Sequence, residues 1–398
     1  MAHLSTITVK GSKRLTVEQE LELLRLAHAR EPGSLLIRAR LATLMEQCDL
    51  FDDVIGLLDG RQDLSFTEFM MLIQALLAAK SPEATLRACA IAQTVVALAT
   101  TDGQRADALA DLGKAQVRLG DANARTTLEQ ALMLDPANKN ACKRLAALLL
   151  DHNEPQGVLD FTHRCASHGA AHAGHFAAQV LALARLGRFE EARLLDGRQL
   201  LGMACQLPLP SGWHSMDAFN TALADQLLAH PGLQYERSGT ASENTWRVDT
   251  PNTADAPLVG VLLDLIRQQV DKHIGGLGEF DHPWLISFPE IGTLHCNCLI
   301  TDSTGYEAWH MHEFGSLTGV YYVTVPSEMD SVADNGGCLA FGLPPDIVGE
   351  QAATDFGLDV VKPAPGQMRI FPSHCYHRTY PHNGTHRRIC IAFDVRPG

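Results

Sequence analysis

Several familiar signatures are missing from the 398-residue sequence. It has no run of about 18 apolar residues, the length that a membrane-spanning helix needs, and its N-terminus lacks the apolar segment of a secretory signal. The ten cysteines form no CxxC pair, so a structural zinc site is not expected. These absences favour a cytoplasmic protein without a membrane partner, whose cysteines are small buried apolar groups.

A basic surface is missing as well. The formal net charge of −14 leaves no stripe of Lys and Arg to neutralise phosphates, so nucleic acid is not an expected partner. The phosphate-binding, dinucleotide-binding, serine-hydrolase and HExxH zinc motifs are all absent. With 46% hydrophobic and 20% charged residues, the chain is expected to be globular, and its length suits two or three domains.

Residues 15–203 are patterned as helices. Apolar positions recur every three or four residues, as in "LELLRLAHA", "LIRARLATLM" and "AAQVLALARLG", the spacing of amphipathic helices. Helix breaks such as "REPGS", "RQDLS", "TTDGQ", "LDPAN" and "SHGAA" repeat at roughly 34 residues, the period of tetratricopeptide (TPR) helical hairpins. The segment "RLGDANARTTLEQALMLDPAN" closely resembles that family.

We therefore predict a TPR-like solenoid over residues 15–203, with about five hairpins that stack because one hairpin cannot bury its apolar faces alone. An irregular helical domain is the alternative. Either array implies a surface for a protein partner or for self-association rather than chemistry.

The pattern changes at about residue 204. "QLPLPSGWHSMDAFN" is rich in Pro and Gly and predicts a linker, and two helical patterns follow it. Eight short β-patterned runs come next, among them "PWLISFPEI", "LHCNCLIT", "YEAWHMHE", "TGVYYVTVP" and "RRICIAFDV". Separated by turn residues, these runs predict an all-β sandwich or barrel over residues 204–398 rather than a parallel α/β sheet.

Histidines cluster in this β region. "HMH" places His310 and His312 at alternate positions, which lie on one face of a strand. His377 follows the run "PGQMRIFP", and Arg388 lies near the start of the last run. A jelly-roll barrel would bring these strands together at its mouth. Imidazoles suit iron, zinc, copper and nickel, and an arginine inside the barrel would hold a carboxylate bidentately.

The segments "HMHEFGSLTGVYYVTVP", "GCLAFGLPP", "KPAPGQMRIFPSHCYHRTYP" and "HRRICIAFDVRP" together resemble the iron(II)/2-oxoglutarate-dependent oxygenases, in particular those that follow tetratricopeptide repeats. The resemblance covers about residues 205–398 and is strongest from Tyr306 onward. It implies that residues 204–398 form a double-stranded β-helix (jelly-roll) oxygenase domain with flanking helices.

Residue by residue, the resemblance implies metal ligands at His310 and His377 and a 2-oxoglutarate-binding arginine at Arg388. Arg387 competes for that role, but alternation along a strand points the two arginines to opposite faces, so only one faces inward. Tyr322 is a candidate to contact the far carboxylate of the cosubstrate, with core packing as the alternative.

The sequence leaves the identity of the third metal ligand open. The wider superfamily has a carboxylate at the position where this chain has His312. We predict that His312 completes a three-histidine site, with Glu313 and Glu307 as the alternative ligands. Three neutral imidazoles would leave iron(II) with its full double charge, which a 2-oxoglutarate dianion would balance. Asn297 is a further candidate to line the pocket.

The function implied is that of a dioxygenase using iron(II), 2-oxoglutarate and O2, a hydroxylase of a polypeptide side chain or a small molecule that releases succinate and CO2. Two alternatives stay open: a three-histidine cupin-type dioxygenase that does not use 2-oxoglutarate, and a non-catalytic TPR scaffold. The substrate and the oligomeric state are not encoded in any motif.

Overall fold

The computed structural model describes residues 6–9, 15, 17–235, 240–289, 291–330 and 335–397. Its contacts divide the chain into a helical unit, Leu15–Ala170, and a sheet unit, Ala171–Gly398 together with Met1–Arg14. The last helical hairpin before the sheets is counted in the sheet unit. The boundary at residues 203/204, drawn from the repeat pattern, stays a prediction about how the sequence is organised.

The helical unit is an array of antiparallel hairpins, as the spacing of the breaks predicts. Five of its helices start after a residue that caps the N-terminus: the side chains of Ser34, Ser65, Ser81, Thr101 and Asn138 each accept a hydrogen bond from a backbone N–H in the first turn, which satisfies one of the exposed donors there. The helices are α1 (Val17–Arg30), α2 (Leu35–Gln47), α3 (Phe51–Leu58), α4 (Phe66–Ala78), α5 (Pro82–Leu98), α6 (Asp102–Leu119), α7 (Ala124–Leu134), α8 (Lys139–Asp151) and α9 (Pro155–Ser167).

After residue 170 the sheet unit starts with a helical hairpin, and its described residues contain seven α-helices, the two of the hairpin included. The long helix of this unit has Pro257 in its first turn and Ala256 at its N-cap. The helices are α10 (Ala173–Arg185), α11 (Phe189–Asp196), α12 (Arg198–Leu201), α13 (Met216–Leu228), α14 (Pro257–Leu277), α15 (Pro345–Val348) and α16 (Glu350–Phe356).

Two sheets form the rest of the unit. The large one has the order β2-β9-β6-β11-β5-β4-β3, with β1 pairing parallel to β5, and the small one has the order β10-β7-β8. All other pairings are antiparallel. The strands are β1 (Thr6–Val9), β2 (Met203–Gln206), β3 (Gln234–Tyr235), β4 (Ser242–Val248), β5 (Ile291–Glu307), β6 (Leu317–Thr324), β7 (Leu339–Phe341), β8 (Asp359–Val361), β9 (Gln367–Pro372), β10 (His377–Thr379) and β11 (Arg388–Pro397).

The two faces of the large sheet have different roles. Successive residues of each strand point to opposite faces, so alternate residues belong to the same face. One face packs on α13 and α14 through a core that includes Tyr321, Ile391 and Phe393. The opposite face, called here the inner face, carries Tyr322 and Arg388 and lies on the side of the histidines. Cross-strand pairs fix its layout: Arg388 is opposite Thr301, Cys390 opposite Leu299 and Tyr322, Ala392 opposite Asn297 and Val320, and Asp394 opposite His295 and Thr318.

Two strand predictions are wrong. "PWLISFPEI" contains a 3-10 helix, Pro283–Ser287, because Pro283 begins a turn that the His282 side chain caps. "YEAWHMHE" leaves the sheet after Glu307, where β5 ends. No helix in the described part of the chain combines the length and the apolar character needed to cross a bilayer.

Candidate metal centre

The three predicted histidines converge, although the "HMH" segment is a loop rather than a strand. His310 forms an isolated antiparallel bridge with His377, in which each backbone N–H donates to the other residue's carbonyl, at 3.0 and 2.9 Å. The backbone N–H of His312 donates to the carbonyl of Ser373 at 2.9 Å. These bonds tie the loop to the segment that carries His377, so two parts of the chain far apart in sequence face each other.

One nitrogen from each ring lies within 4.8 Å of the corresponding nitrogens of the other two. The ring centroids of His310 and His377 are 4.2 Å apart, and both are 5.2 Å from that of His312. Bonds of about 2.1 Å to one divalent ion are therefore within reach of all three rings. Glu307 and Glu313 are not part of this cluster, so the geometry favours His312 as the third ligand; the ligand roles themselves stay predictions.

The Nδ1 atom of each ring already has a hydrogen-bond partner within the protein. Nδ1 of His310 lies 2.8 Å from the Ala308 carbonyl, Nδ1 of His377 lies 3.0 Å from the Cys375 carbonyl, and Nδ1 of His312 lies 2.6 Å from Asp394 Oδ1. Since each of these partners accepts, each Nδ1 carries the proton and donates. This tautomer leaves the Nε2 lone pair of every ring for a metal, the arrangement that fixes ligand histidines in metal sites.

Burial keeps two of the rings in the neutral form that binds metal. Desolvation lowers the pKa of His310 to about 3, with a further contribution from the neighbouring charge of His312. Desolvation also holds the pKa of His377 well below its usual range, with His310 and His312 adding to the effect. A neutral imidazole at physiological pH binds a cation without first losing a proton.

Asp394 orients His312, a role that we did not predict for it. Burial disfavours its charge, yet His312 and Arg396 outweigh burial and hold the pKa of Asp394 well below its usual range. Thr318 Oγ1 donates to Asp394 Oδ1 at 2.8 Å, and Arg396 Nη2 donates to Oδ2 at 2.7 Å. Asp394 is thus an ionised acceptor that holds the His312 tautomer. The sequence did contain a signal for this position: Asp394 lies an even number of residues after Arg388 on one strand, so both side chains are on the same face.

Arg388 lies on the inner face at the other end of the same strand, where it is 3% exposed. Its Nη1 donates to the Gly337 carbonyl at 2.8 Å and its Nη2 to Thr379 Oγ1 at 3.2 Å. Gly337 has φ +70°, a conformation that favours glycine. Nε of Arg388 is buried without a partner. Arg387, as alternation predicts, is exposed and bonds Asp302.

Between Arg388 and the histidines part of the inner face is apolar. Tyr322 packs here with Leu299 and Cys390, and burial raises the pKa of its hydroxyl group. Such a floor suits the methylene carbons of a dicarboxylate whose far end reaches Arg388. Whether Tyr322 also contacts that carboxylate stays a prediction.

Other polar residues border this space. Glu307 is buried, accepts a hydrogen bond from Ser242 through Oε2 at 3.1 Å, and has no partner for Oε1; burial raises its pKa. Asn297, predicted to line the pocket, does line a cavity beside His312.

The part of the chain that carries this site matches a known family. Residues 297–394, which include the three histidines and Arg388, match the model of a family described as "Putative 2OG-Fe(II) oxygenase". This segment is similar to the 2-oxoglutarate/iron(II) oxygenases. The match covers strands β6 and β9 and most of β5 and β11, so the resemblance noted in the sequence is confirmed for the part that carries the site.

Among solved structures, a Pseudomonas putida prolyl-4-hydroxylase is similar at 15% identity and TM-score 0.34, over 56% of this chain and 99% of that chain. A Trichoplax adhaerens prolyl hydroxylase, in complex with a peptide of a hypoxia-inducible factor, is similar at 12% identity and TM-score 0.36, over 53% and 92%. Pseudomonas aeruginosa pilF is similar at 17% identity and TM-score 0.34, over 45% and 81%. No curated protein matches the chain.

Proposed function

We propose that this protein is an iron(II)- and 2-oxoglutarate-dependent dioxygenase that hydroxylates a polypeptide side chain or a small molecule, with release of succinate and CO2. The observation that supports it best is the convergence of three imidazoles whose Nδ1 atoms are all committed to protein acceptors. The donor set fits iron(II): three nitrogen ligands leave positions for a chelating cosubstrate and for O2.

Each residue has a defined task in this proposal. His310, His312 and His377 hold the ion through Nε2, and Asp394 keeps His312 in the required tautomer. Arg388 binds the far carboxylate of 2-oxoglutarate, with its buried and unpartnered Nε as an available donor. When bound, iron and 2-oxoglutarate supply the oxidation chemistry; the protein orients the reactants and excludes water from the apolar inner face.

A helical hairpin array is typical of protein-binding surfaces. A polypeptide is therefore the substrate that we place first, with a small molecule second, and the helical unit is a candidate surface for a protein partner or a second copy. A cupin-type dioxygenase would share the three-histidine set but would not need Arg388.

The test is succinate release from 2-oxoglutarate, since this reaction can be followed without knowing the primary substrate. We expect iron-dependent succinate release in the wild-type protein and a loss of at least about 100-fold in His377→Ala, the range for removing a group at the reacting centre. His386→Ala, which changes an exposed histidine, is the matched control. Release that does not depend on iron, or that survives His377→Ala, contradicts the proposal.

A further inference from the structure

A cavity of about 210 Å³ lies beside His312 between strands β4, β5 and β11. Most of the side chains that line it are polar, including Arg247, Asp249, Asn297 and Arg396. It is smaller than the sites that enclose drug-sized ligands, so it suits one amino-acid side chain or a group of that size. Because His312 is part of its wall, an occupant of the cavity lies against one of the three proposed metal ligands.

The charges around the cavity are balanced. Arg247 Nε donates to Asp249, and Arg396 donates through Nε and Nη2 to Asp394. A charged group entering this cavity would lose its hydration without gaining a counter-ion, which is unfavourable.

Two polar groups in the wall are left to pair with an occupant. Oδ1 of Asn297 is buried and has no partner. Arg247 uses Nε on Asp249 and Nη1 on Ser242, at 3.4 Å, and its Nη2 makes no bond among the described residues. A buried oxygen without a donor is costly and is rare in folded proteins. An occupant with one N–H donor and one acceptor oxygen would satisfy both groups.

We propose that this cavity is the primary-substrate subsite and that it takes an uncharged hydrogen-bonding group, namely a carboxamide. The inference rests on the proposed function for the identity of the cavity as a substrate site. A carboxamide donates to Asn297, accepts from Arg247 and carries no charge. It can belong to a free amino acid or to a residue within a polypeptide, which present the same chemistry here.

The test uses isosteric probes that differ only in this chemistry: asparagine, aspartate and leucine. Each is used as the free amino acid and as the N-acetyl, N-methylamide derivative, which mimics a residue within a chain. Dissociation constants are measured by saturation-transfer NMR on the full-length, metal-free protein. We expect the asparagine probe to bind about tenfold more tightly than the leucine and aspartate probes, the ratio that one satisfied buried hydrogen bond provides.

Variants of the cavity residues test which side chains cause the preference for the asparagine probe. Asn297→Leu keeps the size of the side chain and should remove the preference for asparagine over leucine. Arg247→Gln keeps a donor but shortens the reach, and should weaken asparagine binding by several-fold even if Asn297→Leu does not fold. Arg267→Gln is the matched control, because Arg267 also pairs with a nearby aspartate, Asp271, but lies on α14 outside the cavity; it should bind like wild type.

The outcomes separate this inference from the proposed function. Equal or weaker binding of the asparagine probe, binding of none of the probes, or a preference that survives Asn297→Leu and Arg247→Gln would each overturn the carboxamide assignment. None of these readouts uses turnover. Failure of iron-dependent succinate release would remove the oxygenase function while leaving the measured preference of the cavity intact. The asparagine probe that binds more tightly, the free amino acid or the N-acetyl, N-methylamide derivative, shows whether the carboxamide comes from a free amino acid or from a residue within a polypeptide.

Discussion

The helical unit and the sheet unit each contain a nearly fully buried arginine, Arg38 and Arg388, and the two arginines have different partners. In the helical unit, Arg38 is 2% exposed and is fully engaged by protein carboxylates: Nε and Nη2 donate to Glu68 at 2.6 and 3.1 Å, and Nη1 donates to Asp63 at 2.8 Å. On the inner face of the sheet unit, buried atoms of Asn297 and Arg388 have no partner among the residues that the structure describes.

This difference indicates the role of each group of buried polar residues. A satisfied buried network contributes to stability and fixes how helices pack, but it has nothing left to offer a ligand. Buried groups without partners are unfavourable for the free protein and are expected where a ligand completes them. In the sheet unit, those of Asn297 and Arg388 lie on the inner face, on the side of the three histidines, where chemistry is expected; the helical unit has such atoms too, His28 Nδ1 and Gln116 Oε1.

Removing the paired arginine should have the largest effect on stability. Arg38→Met leaves Glu68 buried without its partner, and breaking a buried ion pair in this way costs about 3–5 kcal/mol. Chemical denaturation should show this loss in the free energy of unfolding. The double variant Arg38→Met with Glu68→Leu should recover most of it, because no buried charge is then left unpaired between these positions. A single variant as stable as wild type would contradict the comparison.

Removing the inner-face arginine should instead affect cosubstrate binding. Arg388→Met deletes the cation proposed to bind the far carboxylate of 2-oxoglutarate, and we expect its KM for 2-oxoglutarate to rise by about 10- to 150-fold, the range for a hydrogen bond to a charged group. The measurement is succinate release as a function of 2-oxoglutarate concentration. Arg387→Met, next to it but exposed, should change this KM by less than about twofold.

An unchanged KM in Arg388→Met, together with retained oxygen consumption that needs no 2-oxoglutarate, would favour the cupin-type alternative. A KM that rises equally in both variants would show that the effect is not specific to the inner face.

A smaller effect is expected at the residue that orients His312. Asp394→Asn removes the charge that holds the Nδ1 proton, and the loss of such a partner typically weakens metal binding by about 10- to 100-fold. Competition with a chelator measures the iron(II) affinity. Asp302→Asn, at an exposed carboxylate that bonds Arg387, should leave the affinity unchanged. Equal affinities in wild type and Asp394→Asn would show that backbone contacts alone position His312.

The smallest effect concerns pH. Desolvation lowers the pKa of His374 to about 3, below its usual 6.5, so the unfolded chain binds one more proton there between these values. His374 therefore contributes stability that is fully present above about pH 6.5 and is lost as the pH falls toward 3. In His374→Phe, the slope of unfolding free energy against pH should become shallower by up to one proton in this window. An identical slope in both proteins would contradict this assignment.

Much of this architecture is readable in the sequence, and the exceptions have physical causes. The helical spacing of "AAQVLALARLG" and the alternation in "RICIAFDV" reflect which side chains are buried, so the order of elements and the inward direction of Arg388 follow from the pattern. The strand predicted across His310 and His312 is absent: β5 ends at Glu307, and beyond it the segment makes one isolated bridge, to His377, and one backbone bond to Ser373, too few for a ladder. A local pattern carries no information about such a partner.

The sequence by itself determined the two kinds of unit, the three histidines and the inward-facing arginine, because residue type and periodicity are local properties. Only the tertiary structure decided that His312 rather than Glu307 or Glu313 joins the histidine cluster, that Asp394 orients it, and that Asn297 is left with an unpartnered oxygen in a polar cavity. These features depend on which residues of separate strands and loops come into contact, and that is fixed by the packing of the whole sheet unit.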